Sequence, residues 1–216
     1  MAGFAAAPAN QTLLSFAADE IRQGGVRALD IGCGAARNAV PLARLGWIVV
    51  ATDLSQPMLE AAAARAAEDG VAERLQLACA PMDALPVADS SVDLIVAHGI
   101  WNLARSGEQF RGAVREAARV ARRAAGLFVF TFSRHTLSED ARPVPGETFV
   151  FTQFSGQPQC FLTEAELLEE LADAGFAPDP AVPLTEHNLP RPGSLRAGGP
   201  PVIYEAAFRF TGPGTT

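Results

Sequence analysis

Three carboxylates have the type and spacing to do chemistry, and each closes a short apolar run. Asp30 stands just before a glycine pair, Gly32 and Gly34, in the run ALDIGCGAARN. Without a Cβ, those glycines let the backbone bend sharply and come close to a ligand. Amides at the start of the helix that follows can receive a carboxylate or a phosphate. A carboxylate in front of such a bend repels a pyrophosphate but suits a ligand carrying an ammonium group. Its plainer role is to tie down loop amides, and the two roles are compatible. Asp53 closes IVVATD and can accept from both hydroxyls of a ribose, with Leu54 beside it. Asp83, in APMDALP, can accept from the exocyclic amine of an adenine, with Met82 and Ala84 against the ring. The plainer readings are a carboxylate starting a helix for Asp53 and a turn residue for Asp83. Three acids at three successive strand ends are more specific than any one of them.

A second group follows in HGIWN. His98 is a candidate general base, because an imidazole titrates near neutrality; otherwise it is a hydrogen-bonded histidine that shapes a pocket. Trp101 is expected to wall that pocket or to sit in the core, with Asn102 beside it. Farther on, Arg134 and His135 are candidates to touch a polar or acidic substrate. Arg37 opens the helix after the glycines, facing either a ligand carboxylate or solvent. His187 suggests no chemistry.

The elements that must position these groups follow from alternating apolar runs and amphipathic stretches, the pattern of a mostly parallel sheet covered on both faces. The sequence predicts a helix over Gln11 to Arg22, a strand over Val26 to Ile31, a helix over Asn38 to Leu45 and a strand over Trp47 to Thr52. Ser55 is expected to cap the next helix, with Pro57 in its first turn and Gly70 as its stop. Strands are expected over Leu75 to Cys79, Val92 to Ala97 and Leu127 to Phe132, with a helix from Glu108 to Ala124 between the last two. Ser133 to Phe161 is a long irregular stretch carrying four phenylalanines, and long connections of this kind tend to be functional lids. Thr163 and Glu166 form a capping box for a helix stopped by Gly175. The chain ends in Ala181 to Glu186, a Pro/Gly-rich turn from Pro190 to Pro201, and Val202 to Phe210. Two late strands without a helix between them imply an antiparallel hairpin at the sheet edge. The expectation is one α/β domain over residues 1–216.

Composition narrows the function. All 17 basic residues are Arg, and with the abundant alanine this suggests a GC-rich, bacterial coding genome. A net charge of −7 offers no basic stripe for phosphates, so a nucleic-acid partner is not expected. Arg111, Arg115, Arg119, Arg122 and Arg123 are read as a solvated helix face. Cys33, Cys79 and Cys160 have no paired spacing, which fits a reducing cytoplasm better than a disulfide framework or a zinc site. No signal peptide, membrane span or metal site is expected.

LDIGCG, VVATDLS and APMDALPVADSSVDLIVAHGIWN, in that order, resemble the class I S-adenosylmethionine-dependent methyltransferases from Val26 to Phe210. The Arg37-Asn38 pair in GCGAARNAVPLARLGWIVVATDLS is similar to the tellurite-resistance and thiopurine-type enzymes among them. The resemblance implies a Rossmann-like three-layer sandwich, with a seven-stranded, mostly parallel sheet whose last strand is antiparallel. It also implies S-adenosylmethionine as cofactor, a small-molecule methyl acceptor, and roles for Asp30, Gly32 and Gly34 at the methionine moiety, Asp53 at the ribose and Asp83 at the adenine. One departure is Ala36, where the family has a third glycine. Asn102 is not in an Asn-Pro-Pro-Tyr-like run, so methylation of DNA bases finds no support. Two other readings stay open: a catalytically silent cofactor-binding module, and a nicotinamide-dependent oxidoreductase. The second is disfavoured by Asp30 and by Arg37 at the third glycine of GxGxxG.

Overall fold

The computed structural model describes residues 8–189 and 200–212. Its first helix, α1 (Gln11–Arg22), is capped by Asn10, whose side chain accepts from the Leu13 amide at 2.9 Å. There follow β1 (Arg27–Ile31), α2 (Ala39–Arg44), β2 (Ile48–Asp53), α3 (Gln56–Glu68), β3 (Leu75–Cys79), β4 (Val92–His98), α4 (Gly107–Val120) and β5 (Ala121–Phe132). After β5 come a short β6 (Val150–Phe151) and β7 (Gln159–Cys160), then α5 (Glu164–Asp173), β8 (Phe176–Pro178), β9 (Thr185–His187) and β10 (Ile203–Phe210).

The main sheet runs β3-β2-β1-β4-β5-β10, and its seventh place is shared by β8 and β9, both paired with β10. The first five strands are parallel, and β10 is antiparallel to β5. This is the expected seven-place sheet with an antiparallel final strand. The hairpin differs in one respect: β10 is inserted inside the edge rather than forming it. The reason is composition, since β10 is buried over Ile203 to Phe208 while Thr185 and His187 in β9 are exposed. Alternate side chains of the buried strands enter opposite layers. Leu29, Ile31, Ile95 and Val129 pack with Phe110 and Val114 of α4 and Leu167 of α5. Ala28, Val49, Leu94 and Val96 pack with Leu13 and Phe16 of α1, Leu42 of α2 and Leu59 of α3. That two-sided burial is why these strands read as continuous apolar runs.

Four expectations need correcting. α4 stops at Val120, and β5 begins at Ala121 instead of Leu127. Ala and Arg favour helix, but Val92 pairs with Ala121 and Asp93 binds Arg122, so tertiary pairing overrides propensity. The register then shifts so that Leu94 pairs with Gly126, and Ala124 takes a left-handed φ of 66°. Arg122 and Arg123 therefore lie on a strand, whereas Arg111, Arg115 and Arg119 share the helix and bind Glu170, Glu108 and Glu116. Next, Ser55 sits at the start of α3 without capping it; its amide instead donates to Asp53 Oδ1 at 2.8 Å. Third, β9 covers Thr185–His187 rather than Ala181 to Glu186, and the three-residue β8 is too short to show a pattern. The expected turn from Pro190 to Pro201 lies outside the described residues except at its last two positions.

Finally, Ser133 to Phe161 is not structureless. It opens with a 3-10 turn at Arg134–Thr136, folds back as the β6–β7 pair, and builds a small core from Leu137, Ala141, Phe151 and Phe161. It is a packed flap. Among the described residues no helix is long and apolar enough to cross a membrane.

Candidate active site

Chain order reverses between β1, which continues to β2 on one side, and β4 on the other, and ligands on open sheets bind beyond the carboxyl ends of strands at such a point. A cavity of about 740 Å³ opens there. The glycine bend, Arg37 and Asn38 line it, together with His98 at the end of β4 and Asn102 in the 3-10 turn that follows. Phe130 and Phe132 of β5, Phe154 and Gln159 of the flap, and Asn10 and Ile203 line it as well.

Asp30 lies on this wall, 2% exposed, with Oδ2 lacking a hydrogen-bond partner among the described residues. Burial pushes its carboxyl up to about 7, against the lowering pull of Arg37 and of the Ala39 amide, while Asp53 raises it further. The bend itself needs both glycines for different reasons. Gly32 has φ +68°, and a Cβ there would lie 2.5 Å from the Ile100 side chain. Gly34 has φ +53°, and a Cβ would meet nothing within 4 Å, so the space above it is open. Ala36, in place of a third glycine, holds φ 56° and is fully buried. Asp53 is half-buried; its Oδ2 accepts from the Gly34 amide at 2.8 Å and its Oδ1 from Ser55, which joins the ends of β1 and β2.

The adenine-side candidates are spread out. Leu54 is 68% exposed beside Asp53, Met82 is buried in the core, Ala84 is exposed, and Asp83 lies half-buried next to Gly112 of α4. None of the four lines the cavity.

His98 does line it. Its ring stacks on Phe130, with centroids 4.1 Å apart and planes 10° from parallel. Burial and then the Arg37 charge push its pKa down to about 4, so the imidazole is neutral at physiological pH. Arg37 Nη2 lies 3.0 Å from Nδ1. A guanidinium can only donate, so the tautomer that fits the shorter of its two ring contacts, 3.0 Å to Nδ1 against 3.5 Å to Nε2, has Nδ1 accepting and the proton on Nε2. The Asn10 amide nitrogen, 3.3 Å from Nε2, then faces that proton; its own bond goes to Glu205 Oε2 at 2.6 Å.

Of the substrate candidates, Asn102 lines the cavity, 2% exposed, and its Oδ1 has no partner among the described residues. The other three do not line it. Trp101 is fully buried edge-on to Phe110, because the 3-10 turn Trp101–Leu103 points it into the core. Arg134 donates to the carbonyls of Ser138 and Ala141 and lies 4.9 Å over the Phe151 ring, holding the flap. His135 is exposed and bonds Glu186 at 2.8 Å. His187 is exposed, 3.5 Å from Glu205. Among the described residues no three His, Cys, Asp or Glu side chains are grouped to hold a metal ion. Asn10, Phe130 and Gln159 are cavity residues that carry no chemical signal in the sequence: one reads as a helix cap, one as a strand residue and one as loop.

Residues 29–130, from β1 through nearly all of β5, match the model of a methyltransferase domain. The chain carries a methyltransferase domain and is an S-adenosylmethionine-dependent methyltransferase. This methyltransferase is 28% identical over 192 residues to the demethylmenaquinone methyltransferase of Corynebacterium glutamicum, covering 77% of this chain and 78% of the relative. It also resembles the solved [4+2]-cyclase SpnF, at 28% identity and a TM-score of 0.63 over 81% of the chain, but spans only 59% of the cyclase's length. The 1,6-didemethyltoxoflavin-N1-methyltransferase of Burkholderia thailandensis, solved with S-adenosylhomocysteine and its substrate, has the same fold; the identity is 20% and the TM-score 0.65, over 92% of this chain and 78% of that one.

The site fits the family's cofactor on its own geometry. The orphaned, buried Asp30 Oδ2 offers an acceptor to an ammonium group, and the open space over Gly34 accommodates an amino-acid moiety.

Proposed function

We propose that this methyltransferase acts on a small acceptor with an apolar, ring-bearing face. The observation that carries the reading is the apolar wall of the cavity: Phe130, Phe132, Phe154, Leu103 and Ile203 line it, with Asn102 as a buried polar point. Such a wall suits a flat apolar molecule fixed by few hydrogen bonds. The quinone and toxoflavin-type acceptors named for two of the similar proteins are of that kind. The finer likeness to tellurite-resistance and thiopurine-type enzymes rests on the Arg37-Asn38 pair.

When bound, S-adenosylmethionine supplies an electrophilic methyl group on a sulfonium. The residues of this chain bind, orient and exclude water. Asp30 and the Gly32–Gly34 bend hold the methionine end, and Asp53, with Leu54 over it, holds the ribose. Met82, Asp83 and Ala84 are assigned to the adenine side. Asn102 takes a hydrogen bond from the acceptor, Phe154 covers it, and His98 takes its proton where it has one to lose.

Incubating the protein with S-adenosylmethionine and either a short-chain naphthoquinol or a catechol should yield S-adenosylhomocysteine and a singly methylated ring. A second reading, a reaction other than methyl transfer, is favoured by the likeness to a [4+2]-cyclase. Tight binding of S-adenosylhomocysteine by calorimetry, with no product from any ring acceptor, would select the second reading.

A further inference from the structure

We propose that Arg37 anchors the carboxylate at the methionine end of the cofactor, and that in doing so it lets go of His98. The inference rests on the cofactor reading above and adds a partner and a consequence to it.

Arg37 is an ion in search of a counter-ion. It lies half-buried on the cavity wall, and among the described residues no carboxylate forms an ion pair with it. By contrast, Arg111, Arg119, Arg122 and Arg209 each hold one. Its hydrogen-bond partner is the neutral His98, and a charged donor on a neutral acceptor is a weaker bond than one on a carboxylate. Asp30 lies close enough for the two charges to attract, yet its Oδ2 is buried without a partner. Both sit at the glycine bend, where the space over Gly34 is open. A buried carboxylate and an unpaired guanidinium beside one open bend complement an α-amino acid zwitterion, with ammonium to Asp30 and carboxylate to Arg37.

The consequence follows from the tautomer. With Arg37 donating to Nδ1 and the ring proton on Nε2, His98 has no lone pair left to take a proton from an acceptor. Turning Arg37 onto the cofactor's carboxylate frees Nδ1. His98 then becomes a base only once the methyl donor is in place. The groups that face the imidazole are Arg37, Asp30 of β1, and Glu205 of β10 through Asn10; His187 lies behind Glu205.

The test compares two ligands by calorimetry on the full chain: S-adenosylhomocysteine and S-adenosyl-3-thiopropylamine, the same molecule without its carboxylate. The wild type should bind the first about ten- to a hundredfold more tightly, the range for a charge-assisted hydrogen bond. Arg37→Gln should abolish that preference by weakening only the first ligand, and Arg37→Lys should keep part of it. By NMR of imidazole-labelled protein, with His98 assigned through His98→Gln, S-adenosylhomocysteine should raise the His98 titration midpoint and the thiopropylamine should not. Equal wild-type affinity for the two ligands overturns the proposal, and so does equal weakening of both by Arg37→Gln, which would make Arg37 a support of the loop. If the wild type binds neither ligand, the cofactor reading falls with it.

Discussion

At the scale of single residues, the cost and the use of Asp30 are the same fact. A buried carboxylate with an unpartnered oxygen resists ionisation, so its pKa rises from 3.8 to about 7. The unfolded chain gives up this proton at lower pH than the folded one. Asp30 is therefore neutral and harmless to the fold below about pH 4. Its penalty grows as pH rises toward 7 and is complete above that. Asp30→Asn should stabilise the ligand-free protein more at pH 8 than at pH 5, by on the order of 2–4 kcal/mol at the higher pH, read as the larger rise in melting temperature. The same variant should weaken S-adenosylhomocysteine by calorimetry; an unchanged affinity removes Asp30 from the site. The glycines make a contrasting pair. Gly32→Ala meets Ile100 and a left-handed φ together, and should cost about 2–4 kcal/mol in denaturant unfolding. Gly34→Ala carries only the backbone strain, about 1–2 kcal/mol, but fills the open bend, so its cofactor affinity should fall far more than its stability.

At the scale of elements, the flap shows where sequence reading loses grip. A stretch rich in Pro, Gly and Phe announces a long connection, and two of its residues, Phe154 and Gln159, line the cavity. Nothing in its spacing says that Phe151 and Phe161 turn inward to Leu137 and Ala141 while Phe154 stays 44% exposed at the cavity. Arg134 looks like a substrate contact by type, yet its guanidinium is spent on the flap's own carbonyls. Arg134→Ala should speed amide hydrogen exchange across residues 133–161 while lowering global stability by only about 1 kcal/mol. A variant that instead loses acceptor binding with unchanged exchange would restore its place as a substrate contact. β5 teaches a related lesson: five residues that favour helix, Ala121 to Ala125, become strand because β4 offers a partner and Asp93 an ion pair.

At the scale of the molecule, the last strand is joined to the first helix. Arg209 of β10 donates to Glu20 of α1 at 2.6 Å, to the Ala124 carbonyl at 3.0 Å and to Asp179 beyond β8. Glu20 and Asp179 are both nearly buried, so removing the cation leaves two carboxylates without a counter-ion. Arg209→Ala should destabilise the protein by on the order of 3 kcal/mol in denaturant unfolding. A loss of only about 1 kcal/mol would point to lost packing on Phe16 instead.

The order of elements, the two-sided burial of the parallel strands and the acid–glycine–acid succession are properties of a linear chain, because residue type, period and spacing alone express them. They suffice for the layered sheet and for Asp30, Gly32, Gly34 and Asp53 at its strand ends. Which polar groups share a cavity is decided by distance across the fold. Asn10 and Glu205 stand 195 positions apart and still bond, and Arg37 finds His98 across 61. Trp101 and Asn102 are neighbours in the chain, yet one turn of backbone sends the first into the core and the second to the cavity. Side-chain direction and burial set that outcome, and no local pattern encodes either.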